Sequence, residues 1–380
     1  MNDRAGKYID TGVGYKSFVP NKLPPEPPLQ IDSEMQQLLS NADRKLGRLD
    51  GITEILPNPE LFVAIYVRKE ALISSQIEGT QASLADILDS ETPHTDEKKN
   101  DIADVVNYVK AMNYGLERLN DLPISLRLIR EIHAELITGV RGSDRNPGEF
   151  RKTQNWIGSM GCTLKDASFV PPAVPAMKDA LSDLEKFIHD EAYIPSLIKI
   201  ALIHAQFETI HPFLDGNGRM GRLLITFWLC EQKILNQPLL YLSYYFKKNR
   251  TEYYDRLMNV RMNGDWEGWI KFFLRGVAEV SDEATTSAKK ILELKTRVAA
   301  FLSKEKSSAN DQSLLDLIFE SPFITRNTII EELNVSSPTA GDLLERFCKY
   351  GILLDLTPEK QRNKKYLFKD YYEILEPGTK

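Results

Sequence analysis

The sequence predicts an all-α fold: a helical core with a short β-hairpin flap, followed by a C-terminal winged helix-turn-helix. Apolar residues recur at three- and four-residue intervals through most of the chain, and strand-like alternation is scarce. With 380 residues, of which 42% are apolar and 27% charged, the chain is long enough to form two or three domains.

Composition excludes several classes of protein. The longest apolar run, 223–230, is far shorter than the roughly 20 residues of a bilayer span, and residues 1–7 are polar with no apolar signal segment behind them. Three widely separated cysteines suit a reducing compartment. A net charge of −6 disfavours a broad nucleic-acid-binding surface. We therefore expect a cytoplasmic protein that does not associate with membranes.

The first predicted element is an extended arm. Residues 17–30 contain five prolines, which lack a backbone donor and favour polyproline II geometry. An arm that packs on its own domain accounts for the apolar Phe18, Val19 and Leu23. A Pro-rich ligand for a partner domain is the alternative.

Helices follow the arm. Helical periodicity begins at residue 31 and recurs at 60–78, 101–118, 125–138, 174–190, 194–209, 219–232, 250–262, 266–278 and 281–304. Between these segments, residues 148–173 are rich in glycine and contain the Pro171–Pro172 pair, which predicts a loop or short hairpin.

The chain changes character after the low-complexity run 303–310. Three short helical patterns and two strand-like segments follow, and this order predicts a winged helix-turn-helix. We divide the chain into an N-terminal arm with helices (1–110), a helical domain (111–305) and a winged-helix domain (306–380).

The densest chemistry lies in His211-Pro-Phe-Leu-Asp-Gly-Asn-Gly-Arg-Met-Gly-Arg222. Pro212 ends the preceding helix and leaves His211 at its C-terminal edge, where a histidine can accept a proton. Gly216, Asn217 and Gly218 permit a tight turn into a new helix. The free N–H groups of that helix form a cradle for an anion such as phosphate.

Charged residues complete the pattern. Arg219 and Arg222 lie three residues apart and can bind phosphate oxygens, and Asp215 is the type of ligand that Mg²⁺ takes when it bridges phosphates. A base, a phosphate cradle and a metal carboxylate together indicate phosphoryl or nucleotidyl transfer.

Other sites are disfavoured. His204, Glu208, His211 and Asp215 have the spacing of metal ligands on one helix face, but Pro212 interrupts that helix. His204 alone is more simply a core histidine. The chain contains neither a P-loop nor a kinase signature.

The segment 211–222 resembles the Fic motif, His-x-Phe-x-Asp/Glu-Gly-Asn-Gly-Arg-x-x-Arg, at every specified position. Weaker similarity covers the Pro-rich arm, residues 46–50, 147–150, 155–158 and 170–172, and the C-terminal tail. The resemblance implies a Fic-fold domain that transfers AMP from ATP to a Ser, Thr or Tyr hydroxyl of a protein.

The resemblance also implies roles for the site residues. His211 would be the general base, Asp215 would hold Mg²⁺, and Asn217 would orient the α-phosphate. The backbone at Gly216, Gly218 and Arg219 would cradle phosphate oxygens. The side chains of Arg219 and Arg222 would bind the β- and γ-phosphates.

Two flanking segments match the family as well. Residues 155–170 would be a flap that aligns a target peptide by strand pairing. Tyr254 resembles the residue that lines the adenine pocket, whereas Arg261 stands where some relatives carry Asn.

A second motif, Ser74-Ser-Gln-Ile-Glu78-Gly79, ends an earlier predicted helix. The helix dipole disfavours an anion there, so Glu78 calls for a cationic partner. The motif matches the family's inhibitory pattern, which implies that Glu78 pairs with Arg222 and blocks the γ-phosphate site. A solvated glutamate is the alternative.

The C-terminal unit offers weak support for DNA binding. The recognition helix carries Asp342 and Glu345, and basic residues concentrate in the wing at 360–365. Substrate docking or self-association, as in a homodimer, is at least as well supported. Self-modification, transfer of UMP, removal of AMP, and a DNA-binding regulator that senses nucleotide remain open.

Overall fold

The computed structural model describes residues 3–12, 14–53, 59–89, 95–139, 146–159, 161–191, 193–305 and 307–379. Most of these residues are helical, which confirms the predicted fold class. Within them lie fifteen α-helices and five short strands.

The N-terminal half begins with a two-stranded antiparallel hairpin, in which Gly6 pairs with Pro20 and Asp10 with Lys16. Its elements are β1 (Gly6–Asp10), β2 (Lys16–Pro20), α1 (Ser33–Thr53), α2 (Pro59–Ile77), α3 (Leu84–Leu88), α4 (Asp96–Arg118), α5 (Leu126–Ile137) and α6 (Val174–Ile188). The predicted extended arm therefore starts as a strand. Phe18 is buried and Leu23 half-buried, so the arm packs on its own chain.

The central helices are α7 (Ser196–Ile210), α8 (Asn217–Glu231), α9 (Ser243–Lys248), α10 (Arg250–Asn263) and α11 (Trp266–Lys304). Helix α11 corrects the sequence prediction, which placed a break between 278 and 281. Neither Glu279 nor Val280 is a helix-breaking residue, and the helix continues through both.

Helix α7 is the centre of the core, because every residue from Leu197 to Ile210 is buried. A helix that is buried on all sides must be surrounded by others. Helices α6, α8, α10 and α11 pack around it. The loop that joins α7 to α8 contains residues 211–216, so the fold places the predicted motif at the middle of the helical domain.

The predicted flap at 155–170 is a loop closed by one antiparallel pair, Ile157 with Phe169, and by a single 3₁₀ turn at Leu164–Asp166. Met160 within it lies outside the described residues. On its other side Val170 accepts a backbone hydrogen bond from Phe18 of β2 (2.9 Å).

The C-terminal elements are α12 (Ala309–Glu320), β3 (Phe323–Thr325), α13 (Arg326–Leu333), α14 (Ser337–Lys349), β4 (Leu354–Asp355), β5 (Lys365–Leu367) and α15 (Lys369–Leu375). The strands form an antiparallel sheet in the order β3-β5-β4. The helices α12, α13 and α14 and the strands β4 and β5 follow the predicted order, whereas β3 and α15 were not predicted. The winged-helix assignment and the domain division stay predictions, and the boundary residue Lys306 lies outside the described residues. Over the described part of the chain, no helix is long and apolar enough to cross a membrane.

Candidate active site

The loop between α7 and α8 is shaped by two residues with left-handed backbone angles. His211 ends α7 with φ of 50°, and Gly216 precedes α8 with φ of 74°. An added Cβ at Gly216 would lie 2.8 Å from Ile137 Cδ1, so both the angle and the space require glycine there.

Asn217 fixes the loop from the first position of α8. Its Oδ1 accepts the Phe213 N–H (2.8 Å) and its Nδ2 donates to the Phe213 carbonyl (2.9 Å). The side chain is buried and therefore acts first as a clamp on the loop. The resemblance implies contact with the α-phosphate, and that role stays a prediction.

His133 of α5 was not singled out from the sequence, yet it supports the same loop. Its Nδ1 accepts the Gly148 N–H (3.0 Å), which leaves Nε2–H to donate to the Asp215 carbonyl (3.0 Å). The ring stacks on Phe213 at 3.7 Å between centroids. Burial lowers the pKa of His133 to about 4, so the ring is neutral.

Arg151 is a second supporting residue that sequence patterns did not reveal. Its buried guanidinium donates to the carbonyls of His211 (3.0 Å), Thr153 (3.2 Å) and Pro172 (2.5 Å). It thereby connects the loop between α7 and α8 to the residues beside both ends of the flap. Neither Arg151 nor His133 has a local sequence signal, because their partners lie far away along the chain.

His211 is half-buried, with 20% of its side chain exposed, in a cationic environment. Burial, together with the charges of Arg261 and Arg151, lowers its pKa to about 3. The imidazole is therefore neutral at physiological pH and can accept a proton. Within the described residues, its Nδ1 makes no hydrogen bond of normal geometry.

Glu78 lies at the N-terminus of α8. An added Cβ at Gly218 would overlap Glu78 Oε1, so the carboxylate occupies the space beside the first turn of α8 where an anion is favoured. Helix α2 ends at Ile77, and Gly79 follows with φ of 106°, as the sequence predicts for a helix terminus.

Arg222 holds this carboxylate. Its Nη2 donates to Glu78 Oε1 (2.7 Å) and to the Ser74 carbonyl (2.9 Å), and its Nε donates to Ser74 Oγ (2.7 Å). The Arg222 side chain is 2% exposed and that of Glu78 38%. The structure therefore brings together Ser74, Glu78, Gly218 and Arg222, which the two separate motifs predicted.

The charges of this pair are coupled. Burial opposes ionisation of Glu78, but the Arg222 guanidinium outweighs it and holds the pKa of Glu78 below its usual value. Burial likewise acts against the charge of Arg222, while Glu78 raises its pKa. Both groups are therefore ionised.

Arg219 points away from this pair. Its Nη1 lies 3.2 Å from Asp104 Oδ1 of α4, and both side chains are 7% exposed. The two arginines expected side by side thus bind different carboxylates. The sequence could not reveal this, because Asp104 is distant along the chain.

Asp215 fits the role of a Mg²⁺ ligand. Its Oδ1 accepts the Gly216 N–H (2.6 Å), and Oδ2 has no protein donor among the described residues. One carboxylate oxygen combined with phosphate oxygens and water is a donor set that Mg²⁺ accepts.

A protein-only metal cluster is not found. Among the residues that the structure describes, no three His, Cys, Asp or Glu side chains are grouped to hold a metal. His204 lies in the core, with Nδ1 beside the Gly221 carbonyl (2.9 Å) and Nε2 beside Tyr253 Oη (2.9 Å).

Tyr254 lies near the Glu78–Arg222 pair. Its side chain is 41% exposed, and Arg250 lies over the ring at 5.5 Å. Burial and the charge of Glu78 raise the pKa of Tyr254 to about 12. Arg261, in contrast, donates to the Glu208 carbonyl (3.0 Å) at the end of α7 and lies 4.0 Å from the centre of the Phe169 ring.

Comparison with known proteins agrees with this geometry. Residues 36–117 match the family model described as Fic/DOC family N-terminal, and residues 123–229 match that described as Fic/DOC family. A probable protein adenylyltransferase of Aquifex aeolicus (strain VF5) is 29% identical over 183 residues, which cover 47% of this chain and 52% of that protein. The protein adenylyltransferase Fic of Aedes aegypti is 30% identical over 188 residues, covering 49% of this chain and 33% of that protein.

The chain therefore spans about half the length of the first relative and a third of the second. Among solved structures, a Fic family protein from Desulfovibrio desulfuricans G20 has the same fold, with a TM-score of 0.58 and 19% identity over 90% of this chain and 97% of that one. On the family matches, residues 36–117 and 123–229 of this chain are a Fic/DOC N-terminal segment and a Fic/DOC domain.

Proposed function

We propose that the protein is a protein adenylyltransferase that moves AMP from ATP to a Ser, Thr or Tyr hydroxyl of a protein. The observation that carries the proposal is an anion site already filled by an anion: the Glu78 carboxylate lies at the N-terminus of α8 and binds Arg222. A nucleotide phosphate has the charge and the size to replace it.

His211 supplies the base in this proposal. Its neutral imidazole takes the proton of the target hydroxyl as the hydroxyl oxygen attacks the α-phosphorus. The negative charge of a bound triphosphate raises the basicity of the imidazole, offsetting the effect of Arg151 and Arg261.

The other motif residues bind ATP. The backbone at Gly216 and Gly218 faces phosphate oxygens, Arg222 binds the distal phosphates, and Tyr254 borders the adenine. Asp215 would hold Mg²⁺, which neutralises phosphate charge when bound.

Asn217 and Arg219 are proposed to act on phosphate as well. In this structure the Asn217 amide is bound to Phe213 and the Arg219 guanidinium to Asp104, so each must add or exchange a contact when ATP binds.

The protein substrate is proposed to dock on the flap, residues 155–170. Residues 167–170 are already flanked on both sides, by Ile157 and by β2. The 155–158 edge, with its exposed Trp156, is therefore the side on which a target strand adds.

Glu78 is proposed to restrain the enzyme. Its carboxylate occupies Arg222 and the space over Gly218, so a γ-phosphate cannot take the same place. Ser74 strengthens the restraint because it holds the guanidinium in the orientation that suits Glu78.

The experiment uses purified Glu78→Gly protein with Mg²⁺ and each nucleoside triphosphate in turn, read by intact mass. We expect a gain of AMP from ATP by self-modification or on an added protein fraction. The matched control, Glu78→Gly combined with His211→Ala, should gain nothing. A gain of UMP from UTP instead would show that UTP, and not ATP, is the donor. No gain with any nucleotide on any protein would contradict the proposal.

Two further activities are tested by the same material. Loss of AMP from a modified protein on incubation with wild type would indicate that the site also removes AMP. A DNA-binding regulator that only senses nucleotide is less well supported, because Lys364 and Lys365 of the wing are paired with Asp355 and Asp89.

A cytoplasmic location and a homodimer remain proposals. The three free cysteines support the cytoplasmic location.

A further inference from the structure

Glu208 has a carboxyl group that the proposed reaction does not yet use. It lies in the last turn of α7, three residues before His211, and is 6% exposed. Among the residues that the structure describes, neither its Oε1 nor His211 Nδ1 has a hydrogen-bond partner, and Glu208 Oε2 lies 3.9 Å from that nitrogen. A shift of about 1 Å would bring Oε2 within hydrogen-bond distance of Nδ1 and satisfy that nitrogen.

Helix α8 leaves room for this carboxyl group. An added Cβ at Gly221 would lie 2.6 Å from Glu208 Oε1. The absence of a side chain at Gly221 therefore allows Glu208 to stay beside the imidazole.

Burial and the surrounding charges make the Glu208 carboxyl group titrate near neutral pH. Burial raises its pKa to about 7, while Arg222 from α8 and Arg261 from α10 favour the ionised form. Glu78, beyond the end of α2, disfavours that form. Tyr253 of α10 also faces this carboxyl group.

His211 faces a different balance. Arg261 and Arg151 oppose a positive charge on its ring, and Glu78 favours one. If ATP displaces Glu78, the carboxylate that stays against the imidazole within the described residues is that of Glu208.

We propose that Glu208 is the positioning residue of His211: its carboxylate accepts the Nδ1–H of the imidazole, which leaves Nε2 free to take the proton of the target hydroxyl. This inference rests on the proposed function. During transfer the O–H bond breaks and an Nε2–H bond forms, the electron pair stays on oxygen and attacks the α-phosphorus, and pyrophosphate leaves. Glu208 then stabilises the resulting imidazolium against the two arginines.

The first test is kinetic and uses the Glu78→Gly protein as parent. Adding Glu208→Gln keeps the shape of the side chain and removes its charge. We expect kcat to fall roughly 10- to 100-fold with an unchanged KM for ATP. We also expect kcat of the parent to rise with pH as Glu208 ionises, with a midpoint below about 7 because the charge of Glu78 is gone, and we expect this rise to be absent from the variant. An unchanged kcat with an unchanged pH profile would overturn the inference, as would a loss confined to KM.

The second test does not depend on turnover. The ring-nitrogen NMR signals of His211, assigned by their loss in His211→Ala, should show an inflection near pH 7 as Glu208 titrates. Glu208→Gln should remove the inflection, whereas the control Glu70→Gln, at another buried glutamate, should retain it. An inflection that persists in Glu208→Gln would overturn the inference. An inflection removed as expected, in a protein that transfers no nucleotide, would support the pairing and contradict the proposed function instead.

Discussion

Glu70 lies on α2 one turn before Ser74. Ser74 accepts a hydrogen bond from Arg222, the arginine that also binds Glu78. The carboxyl group of Glu70 is buried and accepts hydrogen bonds from Tyr108 Oη (3.0 Å) and from the Ser243 hydroxyl. Burial raises its pKa to about 7, although the charge of Arg222 acts in the opposite direction. Helix α2 thus carries a carboxyl group that titrates near neutrality, Glu70, and is followed directly by an ionised carboxylate, Glu78.

The raised pKa of Glu70 predicts a pH dependence of stability. Between its ordinary value of 4.5 and about 7, the folded protein keeps a proton that the unfolded chain releases. The contribution of Glu70 to the free energy of unfolding therefore falls as pH rises through that range. Relative to wild type, Glu70→Gln should gain roughly 1–3 kcal/mol between pH 4.5 and pH 7.5.

Urea unfolding at several pH values measures this difference. The control is Gln37→Ala, at an exposed position of α1, which removes no titratable group, so its difference from wild type should not change with pH. A Glu70→Gln difference that is equally flat would show that the carboxyl group is not buried as described.

At the scale of elements, the N-terminus of α8 depends on one glycine. Gly216→Ala places a Cβ against Ile137 and forces a side chain into left-handed backbone angles. We expect a loss of about 1–3 kcal/mol in the free energy of unfolding.

A matched control is Gly47→Ala in α1. That position is helical and exposed, with no atom within 4 Å of the added Cβ, so stability should rise by about 0.5–1 kcal/mol. Thermal unfolding of both variants gives the comparison. Equal effects at the two glycines would contradict the described turn.

Elements whose determinants are local were predictable. Pro212 and the Gly216–Gly218 turn place the end of α7 and the start of α8 by backbone preference alone. The sequence prediction divided α11 into two helices and did not include the hairpin of β1 and β2. Packing against the rest of the chain determines these elements.

The same division applies to the site. The Glu78–Arg222 pair was implied by the resemblance to the family's inhibitory pattern. The pairing of Arg219 with Asp104 and the supports His133 and Arg151 depend on residues distant in sequence, which no spacing rule reveals.

At the scale of the whole molecule, the C-terminal unit is docked beside the segment 74–79, which contains Glu78. Lys365 Nζ of β5 binds both carboxylate oxygens of Asp89 after α3, at 2.9 and 2.8 Å. Gln76, two residues before Glu78, donates to the carbonyl of Thr379 (3.2 Å). Contacts therefore run from the C-terminal unit to the segment that carries Glu78.

A double-mutant cycle tests this docking. Lys365→Ala and Asp89→Ala, alone and combined, should give a coupling energy of about 0.5–1.5 kcal/mol, since both side chains are largely buried. The control pair Lys369 and Glu373 within α15 is exposed and should couple by no more than about 0.5 kcal/mol. Absence of coupling between Lys365 and Asp89 would contradict the docked arrangement.

The central claim is that Glu78 and the triphosphate compete for Arg222 and for the space over Gly218. The most direct measurement is calorimetric titration of Mg²⁺–ATP into His211→Ala protein, which cannot turn over, with and without Glu78→Gly. The account predicts at least a tenfold tighter affinity when Glu78 is removed, equivalent to about 1.4 kcal/mol. Equal affinities in the two proteins would contradict it.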